Sequence, residues 1–329
     1  MKSKNLLYLL MLVAFLFFNT ACSSDDDTNP IVPTPSVNEA EVLVQYLEQT
    51  GDFINTAAPA MIKASDVYNN ILTQKNQYII DIRSAADFAT GHIEGAVNVT
   101  TADLLTHYKN NNLSGKEVVV IACYSGQTAG WATTLLRLTG NTNVFDLKFG
   151  MSSWNAAFAS KWQNALSNAK AGDMVTTPAA KNTAGDLPTL TTGATEGAAI
   201  LEARVNALLQ EGFSPATISN TALFTNLANY YIVNYWETTH YDWGHISGAV
   251  QYTPKADLKL AAALKTLPTN KPVVIYCYTG QTSAHVAAYL RILGYDAKSL
   301  LYGVNAMAYD NMPGTKFTES EIHDYPFVQ

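Results

Sequence analysis

The chain has 329 residues, enough for two domains of ordinary size, since a domain commonly takes about 100–200 residues. Its 48% hydrophobic and 14% charged residues are typical of a globular protein and exclude a disordered one. The formal net charge is −7 and no cluster of Lys and Arg is present, which argues against binding to nucleic acid.

The first residues have the pattern of an export signal. Lys2 and Lys4 precede an apolar run, Leu6 to Phe18, which is shorter than the roughly 20 residues of a membrane-spanning helix. Small residues then lead to a cysteine in Asn19-Thr20-Ala21-Cys22, which resembles a bacterial lipobox apart from its first position. We therefore predict a lipoprotein signal peptide over residues 1–21 and a lipid on Cys22. The alternative is ordinary secretion with a spare cysteine.

An acidic and proline-rich segment follows, over residues 22–37. A segment of this composition cannot bury a core, so we expect an extended tether between the lipid and the folded part. The run Asp25-Asp26-Asp27 either resembles a surface-export signal of lipoproteins or is a solvated linker. The predicted location is the bacterial cell envelope, anchored to the outer membrane, with surface exposure left open.

The rest of the chain repeats itself. The segment from Tyr78 to Val97 recurs from Tyr231 to Val250 (231 − 78 = 153), with Gly-His-Ile-x-Gly-Ala in both copies. The segment from Ile121 to Ala129 recurs from Ile275 to Ser283 (275 − 121 = 154). Two domains, 38–165 and 196–320, fit this periodicity best. The stretch 166–195 between them is rich in small and polar residues and has the composition of a linker.

Within each copy, helical and strand patterns alternate. In the first copy, Val42 to Leu47 has helical spacing, whereas Tyr78 to Ile80 and Val118 to Ala122 are short apolar runs suited to buried strands. Such alternation predicts an α/β fold in each copy, with a mostly parallel sheet flanked by helices. The reactive site of such a sheet lies beyond the carboxyl ends of its strands.

Cys123 and Cys277 both stand at that place, in the equivalent loops Cys-Tyr-Ser-Gly-Gln-Thr and Cys-Tyr-Thr-Gly-Gln-Thr. A following helix offers unpaired N–H groups, and the loop glycine lets several of them converge on one anion. We therefore expect a lowered thiol pKa and a nucleophilic cysteine in each loop. The alternative is a pair of buried structural cysteines. The candidate loop residues are Tyr124, Ser125, Gly126, Gln127, Thr128, Tyr278, Thr279, Gly280, Gln281 and Thr282.

The motif Asp81-x-Arg83-x3-Asp87-Phe88-x2-Gly91-His92-Ile93-x-Gly95-Ala96, followed by the cysteine loop, resembles the rhodanese family of sulfurtransferases. The resemblance covers both copies and implies tandem rhodanese-like domains. It implies a cysteine persulfide that takes sulfane sulfur from thiosulfate or another small donor. The acceptor would be a thiol or a cyanide-like nucleophile, and no metal or cofactor is implied. It also implies that His92 and His245 are structural and that Asp81 and Arg83 form a charge-assisted pair that braces the loops.

Three features depart from the family pattern. Neither loop contains the Arg or Lys of many members, and Asn234, Trp236 and His240 replace Asp81, Arg83 and Asp87 in the second copy. Both copies also have a cysteine, whereas two-domain relatives often have one only in the second domain. The sequence alone therefore leaves open which copy is active. A rhodanese-fold binding or scaffold module with silent loops is one alternative function. A phosphatase is another, disfavoured by the short loop without arginine.

Overall fold

The structure, a computed structural model, describes residues 38–329. The predicted signal peptide, the lipidation site Cys22 and the tether lie outside the described residues. Within the described part, no helix is both long and apolar enough to cross a membrane.

The first repeat contains a five-stranded sheet in the order β1-β5-β4-β2-β3, with every neighbouring pair parallel. Its elements are α1 (Glu39–Gln49), α2 (Phe53–Thr56), β1 (Met61–Ile62), α3 (Ala64–Leu72), β2 (Gln77–Asp81), α4 (Ala85–Thr90), β3 (Val97–Asn98), α5 (Leu104–Asn110), β4 (Val118–Ala122), α6 (Gln127–Leu138), β5 (Val144–Leu147), α7 (Met151–Trp154) and α8 (Ser160–Gln163). Because parallel neighbours need crossover connections, the helices between them cover the sheet.

The second repeat contains a parallel five-stranded sheet of the same order, β7-β12-β11-β8-β10. The elements from the linker onwards are β6 (Met174–Val175), α9 (Gly197–Glu211), β7 (Thr217–Ile218), α10 (Asn220–Thr225), β8 (Tyr231–Asn234), α11 (Thr238–Trp243), β9 (His245–Ile246), β10 (Val250–Gln251), β11 (Val273–Tyr276), α12 (Gln281–Ile292) and β12 (Ala297–Leu300). The predicted α/β fold with two parallel sheets is thus confirmed.

The helix that follows each cysteine loop lies between the two repeats. In α6, ten of the twelve residues are buried, and α12 is equally buried along its length. The two helices pack against each other, and α1 of the first repeat packs against α9 of the second. A helix buried all round belongs to the interior of a protein. The interface between the repeats is therefore part of the hydrophobic core, and the described residues form one unit.

The linker and the last residues of the chain are fastened to this unit. In the linker, β6 pairs antiparallel with β9, and Thr192 and Gly193 donate hydrogen bonds to the Glu39 carboxylate. Beyond residue 320, the Pro326 carbonyl accepts the indole N–H of Trp154 at 2.8 Å. Residues beyond the predicted second domain therefore pack on the first repeat. The domain boundaries themselves stay predictions.

A polar network is buried where α6 meets α12. His285 on α12 contacts the Thr134 hydroxyl through Nδ1 at 2.7 Å and the Asp146 carboxylate through Nε2 at 2.9 Å. All three side chains are fully buried. Thr134 and Asp146 belong to the first repeat and His285 to the second, so the network joins the two. Among the described residues, the second carboxylate oxygen of Asp146 has no hydrogen-bond partner. The imidazole of His285 is therefore the main stabilising contact of this carboxylate.

We predict that His285→Ala destabilises the whole described unit. Removing the imidazole leaves the buried Asp146 carboxylate without a hydrogen-bond partner among the described residues, at a cost above the roughly 1–3 kcal/mol of a neutral group. Urea unfolding followed by circular dichroism should show this loss in the free energy of unfolding. The control is Thr134→Val, which removes one hydroxyl and should cost about 1–3 kcal/mol. A loss for His285→Ala no larger than for the control would contradict a role for the Asp146 contact.

Candidate functional site

Cys123 lies at the carboxyl end of the central strand β4, just before α6, and its backbone is fixed by the segment after β5. The Cys123 carbonyl accepts the N–H of Met151 at 2.7 Å. A side chain on Gly150 would place its Cβ 2.3 Å from that carbonyl oxygen, so only glycine allows this approach. The predicted position of the cysteine, at the end of a strand and the start of a helix, is confirmed.

The thiol of Cys123 faces backbone amides of its own loop. Its Sγ accepts the N–H of Ala129 at 3.4 Å, and the side chain is 5% exposed. Burial raises the pKa of the Cys123 thiol, while the N–H groups of Ala129, Ser125 and Gly126 act in the opposite direction. The expected lowering of the pKa is therefore wrong for Cys123. Desolvation of the thiolate outweighs the amide dipoles because the thiol is enclosed.

Cys277 has a similar position with one further polar neighbour. Its Sγ accepts the N–H of Ser283 at 3.3 Å and lies 3.7 Å from the Ser283 hydroxyl. Ser283 in turn lies 2.8 Å from the hydroxyl of Ser299. Ala129 and Asp146 are the residues of the first repeat in the places of Ser283 and Ser299. The two cysteines therefore share a backbone geometry but have different polar neighbours.

In the first repeat, the predicted pair of Asp81 and Arg83 is confirmed and lies against the cysteine loop. Arg83 Nη2 donates to Asp81 Oδ2 at 2.6 Å, and both side chains are almost fully buried. The guanidinium also lies over the ring of Tyr124, 5.1 Å from its centroid. The Tyr124 hydroxyl donates to Asp87 at 2.7 Å, and this bond lowers the pKa of Asp87. The motif thus holds the residue that follows the cysteine.

In the second repeat, different side chains hold Tyr278 in the same way. Trp236, in the place of Arg83, stacks on the ring of Tyr278 with centroids 4.8 Å apart. His240, in the place of Asp87, is hydrogen-bonded through Nδ1 to the Tyr278 hydroxyl. Asn234, in the place of Asp81, donates instead to the hydroxyl of Tyr276 at 2.8 Å. The substitutions therefore change the charge around this loop and keep its support. Burial raises the pKa of Tyr278 to about 12.

The two histidines of the Gly-His-Ile segments have structural contacts. His92 stacks on Phe88 and lies 3.0 Å from its carbonyl oxygen through Nδ1. His245 is fully buried, with Nδ1 and Nε2 both 2.9 Å from carbonyl oxygens, those of Tyr241 and Thr177. These contacts support the structural role predicted for both histidines.

The remaining candidate residues shape the loops. Gly126 and Gly280 have left-handed backbone conformations and precede α6 and α12. Ser125 accepts the side-chain N–H of Gln127 at 3.1 Å, and Thr279 accepts the backbone N–H of Gln281 at 3.3 Å. The last residues of the two loops, Thr128 and Thr282, are half-buried at the start of their helices.

Sequence reasoning missed three aromatic or basic side chains near Cys123. Trp162 donates from its indole to the Ser125 carbonyl at 3.1 Å, and Tyr302 of the second repeat packs edge-on against Trp162. Lys161 lies over the ring of Tyr124, with Nζ 3.7 Å from the centroid. The positive charge absent from the loop is therefore supplied by α8. These residues stand far along the chain from the loop, so no local motif indicated them.

The sequence and the fold together define a tandem of two α/β repeats, each with a cysteine loop at the carboxyl end of a parallel sheet. The family model described as "Rhodanese-like domain" matches residues 63–157 and 228–309. These two segments cover more than half of the chain, and the chain therefore belongs to the rhodanese-like domain family.

Named relatives resemble single segments of this chain. A thiosulfate sulfurtransferase of Shewanella oneidensis is 34% identical over 85 residues, which are 26% of this chain and 82% of the relative. A thiosulfate sulfurtransferase of Pseudomonas fluorescens is 28% identical over 87 residues, covering 26% and 78%. A tRNA uridine(34) hydroxylase of Buchnera aphidicola is 30% identical over 100 residues, and the match spans only 30% of its length.

Solved structures also match. A thiosulfate sulfurtransferase from Pseudomonas aeruginosa matches over 88% of this chain and 48% of its own, at 16% identity and a TM-score of 0.29. A rhodanese-related protein from Thermoplasma volcanium matches over 29% of this chain and 89% of its own, at 24% identity and a TM-score of 0.26.

The burial of Cys123 predicts the pH dependence of its reactivity. Because its pKa is raised, Cys123 is mostly a neutral thiol at neutral pH, and the thiolate is the reactive form. In a Cys277→Ser background, the alkylation rate of Cys123 by iodoacetamide should still rise above about pH 8.5, where a free cysteine is half ionised. Mass spectrometry of the intact protein measures the rate at each pH. A plateau below that pH would show that the loop amides outweigh burial.

Proposed function

We propose that this protein is a sulfurtransferase that carries sulfane sulfur as a persulfide on Cys123, on Cys277 or on both. The observation that carries the proposal is the position of both thiols. Each lies at the end of a central parallel strand and accepts a backbone N–H of the following helix, at 3.4 Å for Cys123 and 3.3 Å for Cys277. Amide donors at that point stabilise an anionic sulfur, which is the charged species in every step of the reaction.

The reaction has two displacements at sulfur. The cysteine thiolate attacks the outer sulfur of thiosulfate, a new S–S bond forms, and the S–S bond of thiosulfate breaks with release of sulfite. A cyanide or thiolate acceptor then attacks the outer sulfur of the persulfide. The bond to Sγ breaks, thiocyanate or an acceptor persulfide leaves, and the electron pair returns to the cysteine as thiolate. No net oxidation of the protein occurs, so no redox cofactor is required.

The surroundings of the two loops favour different donors. Near Cys123, Lys161 adds an exposed positive charge beside Tyr124, whereas the Arg83 charge is neutralised by Asp81. Near Cys277, Tyr278 is contacted by the uncharged indole of Trp236 and by the imidazole of His240, and the Asp–Arg pair of the first repeat is absent. A dianion such as thiosulfate is attracted by a cation near the thiol. We therefore assign most of the thiosulfate activity to Cys123.

A second candidate function is a binding or scaffold module with silent loops. The observation in its favour is burial, because the exposed fractions are only 5% for Cys123 and 2% for Cys277. A sulfur donor reaches these thiols only when the cysteine loop, or the aromatic side chains that pack on it, moves. Persulfide formation distinguishes the two functions directly.

We predict that thiosulfate adds one sulfur, about 32 Da, to each active cysteine and that cyanide removes it as thiocyanate. Intact-mass spectrometry and thiocyanate release should show most of the adduct and rate in Cys277→Ser, which keeps Cys123. Cys123→Ser should lose most of the rate. Both signals should disappear in the double variant.

Three results would contradict these assignments. An adduct that persists in the double variant would exclude the cysteine mechanism. A greater loss from Cys277→Ser than from Cys123→Ser would place the main activity in the second repeat. The absence of any adduct in the wild type, with the protein folded, would favour the binding module.

We further propose that the protein is lipid-anchored in the bacterial cell envelope through Cys22. Several acyl chains together hold a protein stably, since each buried CH₂ contributes about 0.8 kcal/mol. Cys22→Ala should abolish metabolic labelling with a palmitate analogue and move the protein out of the membrane fraction. The control is a chain that begins at residue 37, which should remain folded because it contains all the described residues, 38–329, and these form one unit. Unchanged labelling of Cys22→Ala would contradict this assignment.

A further inference from the structure

The two cysteine loops contact each other through a reciprocal pair of glutamine hydrogen bonds. Gln281, which follows the Cys277 loop, accepts the backbone N–H of Phe149 through Oε1 at 2.7 Å. Gln127, which follows the Cys123 loop, accepts the backbone N–H of Tyr302 through Oε1 at 2.8 Å. Both glutamines are buried, so these bonds are protected from water. Each bond joins one repeat to the other.

The loop glycines leave the space that these two glutamine side chains need. A Cβ on Gly126 would lie 2.3 Å from Oε1 of Gln281, and a Cβ on Gly280 would lie 2.3 Å from Oε1 of Gln127. Any other residue at either position would push the opposite glutamine away. The loop glycine therefore makes room for the side chain of the other repeat as well as for the turn itself.

The two segments that donate these N–H groups are those that fix the cysteines. Phe149 precedes Gly150 and Met151, and the N–H of Met151 holds the Cys123 carbonyl. Tyr302 precedes Gly303 and Val304, and the N–H of Val304 holds the Cys277 carbonyl at 3.2 Å. Phe149 and Tyr302 both have a φ of +61°, a left-handed conformation that is unfavourable for such residues and needs support from its surroundings.

We infer that Gln281 is a positioning residue for Cys123 and Gln127 for Cys277, so that each repeat sets the geometry of the other repeat's thiol. Phe149 and Tyr302 are held in their strained conformation by the opposite glutamine, and the segments they begin hold the cysteine carbonyls. The tandem is thus one coupled pair of sites. This inference rests on the proposed function only in so far as the thiols are reactive.

The two glutamines differ in a way that makes the inference testable. Gln127 also donates to Ser125 in its own loop. The side-chain nitrogen of Gln281 has no hydrogen-bond partner among the described residues. Replacing Gln281 therefore removes a bond to the first repeat and no side-chain bond within its own loop.

The experiment is Gln281→Met, a substitution of similar size without an acceptor, tested in two backgrounds that each keep one of the two loop cysteines, with alkylation measured on the peptide that contains it. In Cys277→Ser, the pH profile of Cys123 alkylation should shift, and its persulfide formation should fall by at least about fivefold, as expected for one lost buried hydrogen bond. In Cys123→Ser, the profile of Cys277 should shift less than that of Cys123, because the lost side-chain bond reaches only the first repeat. Gln251→Met is the matched control, because Gln251 bonds to Trp236 and Thr253 within the second repeat. It should leave the Cys123 profile unchanged.

Three results would overturn the inference: neither profile moves, Cys277 moves as much as Cys123, or the control shifts Cys123 equally. Alkylation needs no sulfur donor, so these profiles decide the point even if the wild type forms no persulfide and the proposed function fails. If Gln281→Met does not fold, amide hydrogen exchange of the wild type decides instead. The N–H groups of Phe149 and Tyr302 should exchange as slowly as those of the central strands, and fast exchange at either would overturn the inference.

Discussion

The packing of α6 against α12 is the contact on which the arrangement of this protein depends. Each helix begins directly after a cysteine loop, so fixing the two helices against each other also fixes the two loops. Because nearly all side chains of both helices are buried, neither helix has a polar face that could meet water if the repeats separated. Separation would also break the contacts of His285 with Thr134 and Asp146 and expose all three side chains. Two homologous domains have thereby become one folding unit.

Both repeats support the cysteine loop in the same way, but the side chains that do so differ in their chemistry. In both, a side chain covers the ring of the tyrosine that follows the cysteine, and another holds its hydroxyl. Arg83 and Asp87 do this for Tyr124, and Trp236 and His240 do it for Tyr278. An aromatic ring can be covered by a guanidinium or by an indole, since both present a flat surface. The second repeat therefore keeps its geometry without the ion pair, and its thiol lies in a less charged environment.

The sequence allowed the fold, the repeat and the position of both cysteines to be predicted, because strands, loops and the Asp81–Arg83 pair depend on neighbours close in the chain. It did not allow the pKa direction of Cys123 to be predicted. That direction depends on burial, which arises from tertiary packing and opposes the local effect of the loop and helix amides. The pair of glutamine hydrogen bonds between the repeats was missed for a related reason. Gln127 and Gln281 were recognised as loop residues, but their partners lie in the other repeat, and a repeat pattern does not show which surfaces of two copies face each other.

The chain that follows the second repeat has a consequence for biosynthesis. Val328 bridges to His92, and the Pro326 carbonyl accepts the Trp154 indole, so the surface of the first repeat is completed by residues made long after it. The tyrosines Tyr68 and Tyr325 stack at 4.1 Å on the same surface. During translation, these aromatic residues on the surface of the first repeat therefore stay uncovered until residue 328 has left the ribosome.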